Sequence, residues 1–468
     1  MKPPIFIQTN PLSTRRGVVF AVVAVASFHL AYWVPGCQWF MGLFLYCLFR
    51  LANLGSARLA SYFGLGIGLA VYAPNLIFFW TVFGPGAIAL WFVLAFWLGL
   101  FLLGGRAVII RFGPIVWALA APFFWTGMEY FRSELYYLRF SWLNAGYAFS
   151  TSSALPYMAG FGVYGIGFLL MAWAAYVGVV AKLSKVTRYV VGVALAAVST
   201  LPLWLPVPEI PDIQPTIVTG VQLEFSPPGQ VQAALDAARK KYPQTDLFVL
   251  SEYTFDGPVP QEILDWCKEH HRWLAAGGKD PISSTRYYNS VFVVGPDGNI
   301  AFRQAKCVPV QFMKDGSPAP EQRLWDSPWG QIGFGICYDA SYTRVTDELI
   351  RQGAQFLIFP TMDIAEWGKE EHKLHGRIAP MRAAEYLIPV FRLCSSGISQ
   401  FVGRDGRVIS SAPFPGQDVV LSSKLEIATP GRMPLDRPVA PLAVVLTGML
   451  LLYMIVEAWW APRPPPPP

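Results

Sequence analysis

Gly333-Phe334-Gly335-Ile336-Cys337-Tyr338-Asp339 is an apolar, strand-like run that stops at a cysteine and turns into a helix. Residues 329–337 mix Trp, Ile and Phe with small glycines, which suits a buried strand with close backbone neighbours. Beyond it, Thr343 to Gly353 predicts a helix with Thr343 as N-cap, Asp347 and Glu348 within it and Gly353 as its stop. A thiol at such a junction lies near backbone N–H groups and the positive end of a helix dipole, and both favour the nucleophilic thiolate. Free cysteine is also among the most buried residue types and often only fills space. Cys337 alone therefore decides nothing.

Around this stretch the chain is unusually apolar. Of 468 residues, 54% are hydrophobic and 14% charged, and the mean hydropathy is +0.39, which marks a polytopic membrane protein. Residues 1–206 are almost continuous hydrophobic segments, with candidate spans at 17–34, 39–53, 59–81, 86–104, 113–131, 157–181 and 189–206. An eighth covers 438–460, and the proline run 461–468 is expected to be disordered. With a cytoplasmic N-terminus, that side receives Lys2, Arg15, Arg16, Arg50, Arg58, Arg106, Arg111, Lys182, Lys185, Arg188 and Arg463. The short opposite loops then hold only Arg132 and Arg139, as the positive-inside rule requires. Residues 207–437, of soluble character, fall outside the cytoplasm. The first apolar segment, after Arg15 and Arg16, reads as a retained helix and not a cleaved signal.

The net charge of +6 is modest and no dense basic run occurs, so nucleic acid is not an expected partner. Six cysteines show no zinc-site spacing, and His372 and His375 lack a third ligand in view, so neither metal nor cofactor is expected. A disulfide between Cys267 and Cys307 or Cys394 stays open.

The soluble stretch alternates strands and helices. Strands are predicted at 216–222, 247–250, 356–359, 390–394 and 398–402, a helix at 229–241, and a hairpin at 288–306 turning at Pro296-Asp297-Gly298. A second turn falls at Arg404-Asp405-Gly406. This is an α/β domain with a substantial mixed sheet. Glu252, Lys306 and Cys337 each follow a predicted strand, where α/β sheets gather their chemistry. Singly, the two charges would read as solvated surface; together the three offer a base, a cation and a nucleophile.

These contexts resemble the Glu-Lys-Cys triad of the nitrilase (carbon–nitrogen hydrolase) superfamily, and the whole chain resembles the bacterial apolipoprotein N-acyltransferase family. Phe140-Ser141-Trp142-Leu143-Asn144-Ala145-Gly146-Tyr147 and Gly162-Val163-Tyr164-Gly165 are similar to its membrane-domain motifs. Tyr288-Asn289-Ser290, His375, Arg382-Ala383-Ala384-Glu385 and Ser396-Gly397-Ile398-Ser399 are similar to its soluble-domain signatures. The resemblance implies a four-layer α-β-β-α domain outside eight transmembrane helices. It also implies a monomer in the inner membrane that takes an acyl chain from a phospholipid through a Cys337 thioester and gives it to the α-amine of a diacylglyceryl-cysteine lipoprotein. Glu252 would be the base, and Lys306 with the Tyr338 N–H would hold the oxyanion. Asp339, Trp142, Tyr147, Asp363, Trp367 and His375 would position substrate.

The chain departs from the family where Lys314 stands in place of a second glutamate, with Glu321 as the nearby substitute. It departs again at Tyr338-Asp339 in place of Tyr-Glu and at Thr361-Met362-Asp363 in place of Thr-Asn-Asp. The segments 314–325 and 363–373 are candidate lids or plain surface loops. A membrane-anchored nitrilase-type amidase and a non-catalytic lipoprotein-binding relative are the competing readings.

Overall fold

The computed structural model describes residues 10–204, 215–416, 418–425, 427 and 429–460; the proline run lies outside them. Helices Thr14–Trp33, Phe40–Leu51, Ala57–Asn75, Gly86–Tyr130, Val163–Val179, Lys185–Ser199 and Asp436–Trp460 form the apolar part. Among the described residues, four helical stretches are long and apolar enough to cross a membrane: Thr14–Trp33, Gly86–Leu135, Val163–Lys182 and Asp436–Glu457.

Four expected spans differ in detail. The segment 59–81 breaks after Asn75 and resumes as the short helix Phe78–Phe83. The segments 86–104 and 113–131 join in the 45-residue run Gly86–Tyr130, which turns a corner at Gly113 (φ 85°, ψ 170°). Glycine adopts that φ without a Cβ clash, and Pro114 starts the next helix without an N–H to lose. The segment 157–181 becomes helical for good only at Val163, after two short turns and Gly162 at φ 78°.

Twelve strands build two six-stranded sheets. The first runs β12 (Val420–Leu425), β1 (Thr216–Val221), β2 (Leu247–Leu250), β3 (Trp273–Pro281), β4 (Tyr287–Val294), β5 (Ile300–Ala305). The second runs β11 (Val408–Ser411), β10 (Gln400–Val402), β9 (Val390–Cys394), β8 (Phe356–Thr361), β7 (Gly330–Phe334), β6 (Leu324–Ser327). Both are mixed: β1–β2–β3 and β7–β8–β9 are parallel, and the outer pairs antiparallel.

Alternation along the strands sorts the side chains into layers. Leu247 and Val249 join Ile332, Phe334, Phe356 and Ile358 in the core between the sheets. Phe248 and Leu250 face outward onto helices Pro228–Lys241 and Gln261–His270. On the far side, Leu357, Phe359 and Val390 meet helices Thr343–Arg351 and Ile378–Tyr386, and this layer runs without a break into the core of the membrane helices. The result is an α-β-β-α sandwich whose fourth layer rests on the bundle.

Thr343 is the first residue of its helix and not the N-cap, a place taken by Tyr342. Its hydroxyl donates instead to Glu134 of the apolar part (2.8 Å), which also accepts from the Thr343 N–H (2.9 Å). All six cysteines are free thiols.

Helices Ala57–Asn75 and Gly86–Tyr130 touch backbone to backbone. A Cβ on Gly64 would lie 2.5 Å from the Gly99 Cα, whereas one on Gly66, on the open face, would meet nothing within 4 Å. Small residues at such crossings permit close van der Waals packing. Gly64→Ala is therefore expected to cost about 1–3 kcal/mol by overpacking, read as a lower unfolding midpoint in detergent. Gly66→Ala should leave the midpoint unchanged or raise it; equal loss in both variants would contradict this packing.

Candidate active site

Strand ends carry the three charged or nucleophilic groups to one place. Glu252 lies just beyond β2, Lys306 follows β5, and Cys337 follows β7 of the opposing sheet. Gly277 of β3 makes room for Glu252, since a Cβ there would lie 2.6 Å from the Glu252 Cα. Cys337 itself has φ 50° and Tyr253, next to Glu252, φ 52°. Such left-handed non-glycine backbone costs of order 1–3 kcal/mol and gathers at functional sites.

Lys306 is almost fully buried between two carboxylates, with its Nζ 2.8 Å from Glu252 Oε1 and 2.7 Å from Asp315 Oδ2. Asn289 donates from one amide to Glu252 Oε1 (2.6 Å) and Asp315 Oδ1 (2.9 Å). The Met362 N–H donates to Glu252 Oε2 (2.8 Å), the Tyr253 hydroxyl to Asp315 Oδ1 (2.9 Å), and the Val310 N–H to Asp315 Oδ2 (2.7 Å). Asp315 is thus the second carboxylate of the site. It was missed because Lys314 occupies the expected position, yet it is the sole acid between Lys306 and Glu321 in the sequence.

Burial decides the protonation states. It pushes the Glu252 carboxyl up, with Asp315 adding and Lys306 opposing. It works against the Lys306 charge, but Glu252, Cys337 and Asp315 outweigh it and hold the ammonium well above the ordinary range. It raises the Cys337 thiol well above its usual value, Glu252 adding and Lys306 pulling back. The pull toward thiolate expected of the strand–helix junction is outweighed: residues 337–341 form only a short 3-10 turn, and two nearby carboxylates repel a third anion. Burial and the nearby carboxylates thus both favour the neutral thiol at Cys337.

The other residues singled out in the sequence divide. Trp142, Tyr338, Asp363, Trp367 and His375 line, with Cys337, a cavity of about 120 Å³ that continues between Phe79, Phe83 and Phe140. Trp142 stacks on His375 (centroids 4.6 Å, 15°) and donates its indole N–H to Ser341 (2.9 Å). Asp363 accepts from His375 Nδ1 (2.8 Å) and pairs with Arg392. Burial pushes His375 down to about 4 against the pull of Asp363, so it is neutral at physiological pH.

Three placements are corrected. Glu321 is 62% exposed and pairs with Arg323 (3.2 Å), because the chain has already turned away toward β6. Tyr147 is fully buried and its hydroxyl accepts from Arg382 (2.8 Å), so it ties the apolar part to helix Ile378–Tyr386 and does not line the cavity. Asp339 also lies off the cavity: it accepts N–H bonds from Ile336 (3.0 Å), Cys307 (3.1 Å) and Val308 (2.8 Å). It thereby pins the chain after Lys306 to the turn at Cys337.

For metal chemistry, the fold supplies the partner that spacing left out. Cys337, Asp363 and His375 offer ligand atoms within 4.8 Å of one another, as do Asp363, Glu371 and His372. Asp363 belongs to both sets, and its charge is already matched by Arg392.

The comparisons with known proteins follow the same division of the chain. Residues 20–176 match the family described as apolipoprotein N-acyltransferase N-terminal domain, and residues 214–424 match carbon-nitrogen hydrolase. An apolipoprotein N-acyltransferase of Bdellovibrio bacteriovorus is 29% identical over 220 residues, 38% of this chain and 40% of the relative. That of Geobacter metallireducens is 23% identical over 88% of this chain and 90% of the relative. Omega-amidase NIT2 of Mus musculus is 26% identical over 22% of this chain and 41% of the relative. The chain thus spans about two fifths of the length of the Bdellovibrio and mouse relatives. Among solved structures, Nit3 of Saccharomyces cerevisiae, of the nitrilase superfamily, is 21% identical with TM-score 0.40, covering 46% of this chain and 90% of that one. A carbon-nitrogen hydrolase of Helicobacter pylori is 18% identical with TM-score 0.40, covering 50% and 94%. With both domain types matched in order along one chain, the protein belongs to the bacterial apolipoprotein N-acyltransferase family as a divergent member.

Proposed function

We propose that the protein transfers an acyl chain from a phospholipid to the α-amine of a lipoprotein's N-terminal diacylglyceryl-cysteine, through a thioester on Cys337. The observation that carries this reading is the position of Cys337 between two environments. On one side stands the buried Glu252–Lys306–Asp315 cluster, and on the other an apolar cavity walled by Phe79, Phe83 and Phe140 of the membrane part. An amidase for small polar amides has no use for such a wall; an acyl chain does.

In this mechanism Glu252 takes the Cys337 proton as sulfur attacks the ester carbonyl. Lys306 and the Tyr338 N–H face the oxyanion, each donor worth about 3 kcal/mol. Collapse expels the glyceryl oxygen, which takes the proton back from Glu252 and leaves as lysophospholipid. The lipoprotein amine then attacks the thioester, Glu252 accepts its proton, and the departing thiolate recovers one. The apolar wall keeps water from the thioester between the two steps.

The membrane arrangement is part of the proposal: eight crossings, counting two within Gly86–Tyr130 on either side of Gly113, bounding domains at 1–206, 207–437 and 438–460. Arg111 pairs with Glu457, which supports placing the Gly113 corner and the end of the last helix on one side, the cytoplasmic one. Cys337 then lies at the opposite, periplasmic surface of a monomer in the inner membrane. Fixing the site there raises the effective concentration of two membrane-bound substrates.

Two measurements test this. Membranes incubated with acyl-labelled phospholipid should give protein-bound label that neutral hydroxylamine removes and Cys337→Ala abolishes; well-folded wild type that takes no label from several donors would sink the reading. The cluster's electrostatics are read by alkylation of Cys337 against pH. Asp315→Asn removes a charge that raises the thiol, so its midpoint should fall by on the order of one pH unit, and Lys306→Met should raise it by a similar amount. Shifts in the reverse directions would contradict the assigned charges.

A further inference from the structure

We propose that Arg139 holds the phosphate of the acyl donor, which makes the first half-reaction selective for a phosphodiester-bearing lipid over other acyl esters; this rests on the acyl-transfer reading above. Among the described residues lining the cavity at Cys337, Arg139 is the one cation. It forms no ion pair among the described residues, and its buried Nε has no hydrogen-bond partner. Its guanidinium lies over the Tyr342 ring at 5.3 Å, and Arg344 lies over the same ring at 5.4 Å. Two like charges share one aromatic ring, and the inner one faces a largely apolar space with no carboxylate paired to it. An anion is the missing partner.

The position suits a lipid phosphate. The Tyr338 hydroxyl donates to the Arg139 carbonyl (3.2 Å), which ties this segment to the residue that follows the nucleophile. In a phospholipid the phosphodiester sits across the glycerol backbone from the ester carbonyls, so an anchored phosphate delivers an ester to the sulfur. The guanidinium fork matches phosphate oxygens in bidentate geometry, which an ammonium does not. The cavity's two carboxylates, Asp363 and Glu371, lie instead around His375, and Asp363 is already paired with Arg392. The diacylglyceryl acceptor carries no phosphate, so Arg139 acts on one substrate and not on the other.

The test uses full-length Cys337→Ala protein in detergent, where binding is read without turnover. A short-chain phospholipid should bind more tightly than the diacylglycerol with the same acyl chains. Adding Arg139→Gln should weaken phospholipid binding about tenfold and leave diacylglycerol binding unchanged, with Arg139→Lys in between. In the active protein, Arg139→Gln should raise KM for the phospholipid with kcat kept, and leave aminolysis of preformed acyl-enzyme unaltered. Equal losses for both lipids, or a fall in kcat alone, would assign Arg139 to packing on Tyr342 and overturn the proposal. Failure of the Cys337→Ala protein to bind phospholipid would overturn it too. Displacement of phospholipid by inorganic phosphate at comparable concentration would replace the lipid headgroup with a free-phosphate site. Because binding is measured without chemistry, a protein that binds phospholipid through Arg139 yet forms no acyl-enzyme would sink the transferase reading and leave this one standing.

Discussion

A buried ammonium is the constraint from which the rest of the site follows. Lys306 is removed from water, and an unmatched charge there would cost several kcal/mol. Two carboxylates and a bridging amide offset that cost, and they come from three places in the chain: Glu252 after β2, Asn289 on β4 and Asp315 beyond β5. Bringing them within hydrogen-bond range fixes the register of β3, β4 and β5 and the turn that returns Asp315. Asp339 then couples this half to the turn at Cys337 through the N–H groups of Cys307 and Val308. These shared hydrogen bonds hold the side chains of Glu252, Lys306 and Asp315 to one arrangement.

Much of this was legible in the sequence, for identifiable reasons. Strands such as Leu247–Leu250 and Val390–Cys394 declared themselves as short apolar runs between turn residues, and the fold buries both their faces. Glu252, Lys306 and Cys337 were visible because each polar group directly ends an apolar run. Asp315 was hidden because its role depends on how a loop doubles back, which no periodicity encodes. Glu321 attracted attention by charge alone, and its exposure shows how little charge without placement means. The state of the Cys337 thiol was also beyond reach: it depends on burial and on two carboxylates from other strands, and the sequence offered only the local helix.

The soluble sandwich and the membrane helices are not two bodies joined by a linker. Their apolar cores form one cluster, and buried polar contacts cross the junction at several points. Glu134 accepts from Thr343, Trp142 donates to Ser341, and Arg382 reaches Tyr147. The cavity at Cys337 is therefore lined from both parts, by Phe79, Phe83 and Phe140 of one and by Phe312, Met313 and Trp367 of the other.

The last described helix, Asp436–Trp460, adds a temporal dimension to that union. Asp436 accepts the Tyr164 N–H, while Arg437 donates to Asp347 and Glu385. These partners lie on three elements made at widely different moments of translation, and the helix that joins them emerges after both sheets. Until it docks, Asp347 and Glu385 lack a cation they later share, and the Tyr164 segment lacks its acceptor. The last helix thus works as a clasp that draws Tyr164, Asp347 and Glu385 together, added to the Glu134, Trp142 and Arg382 contacts that already span the junction.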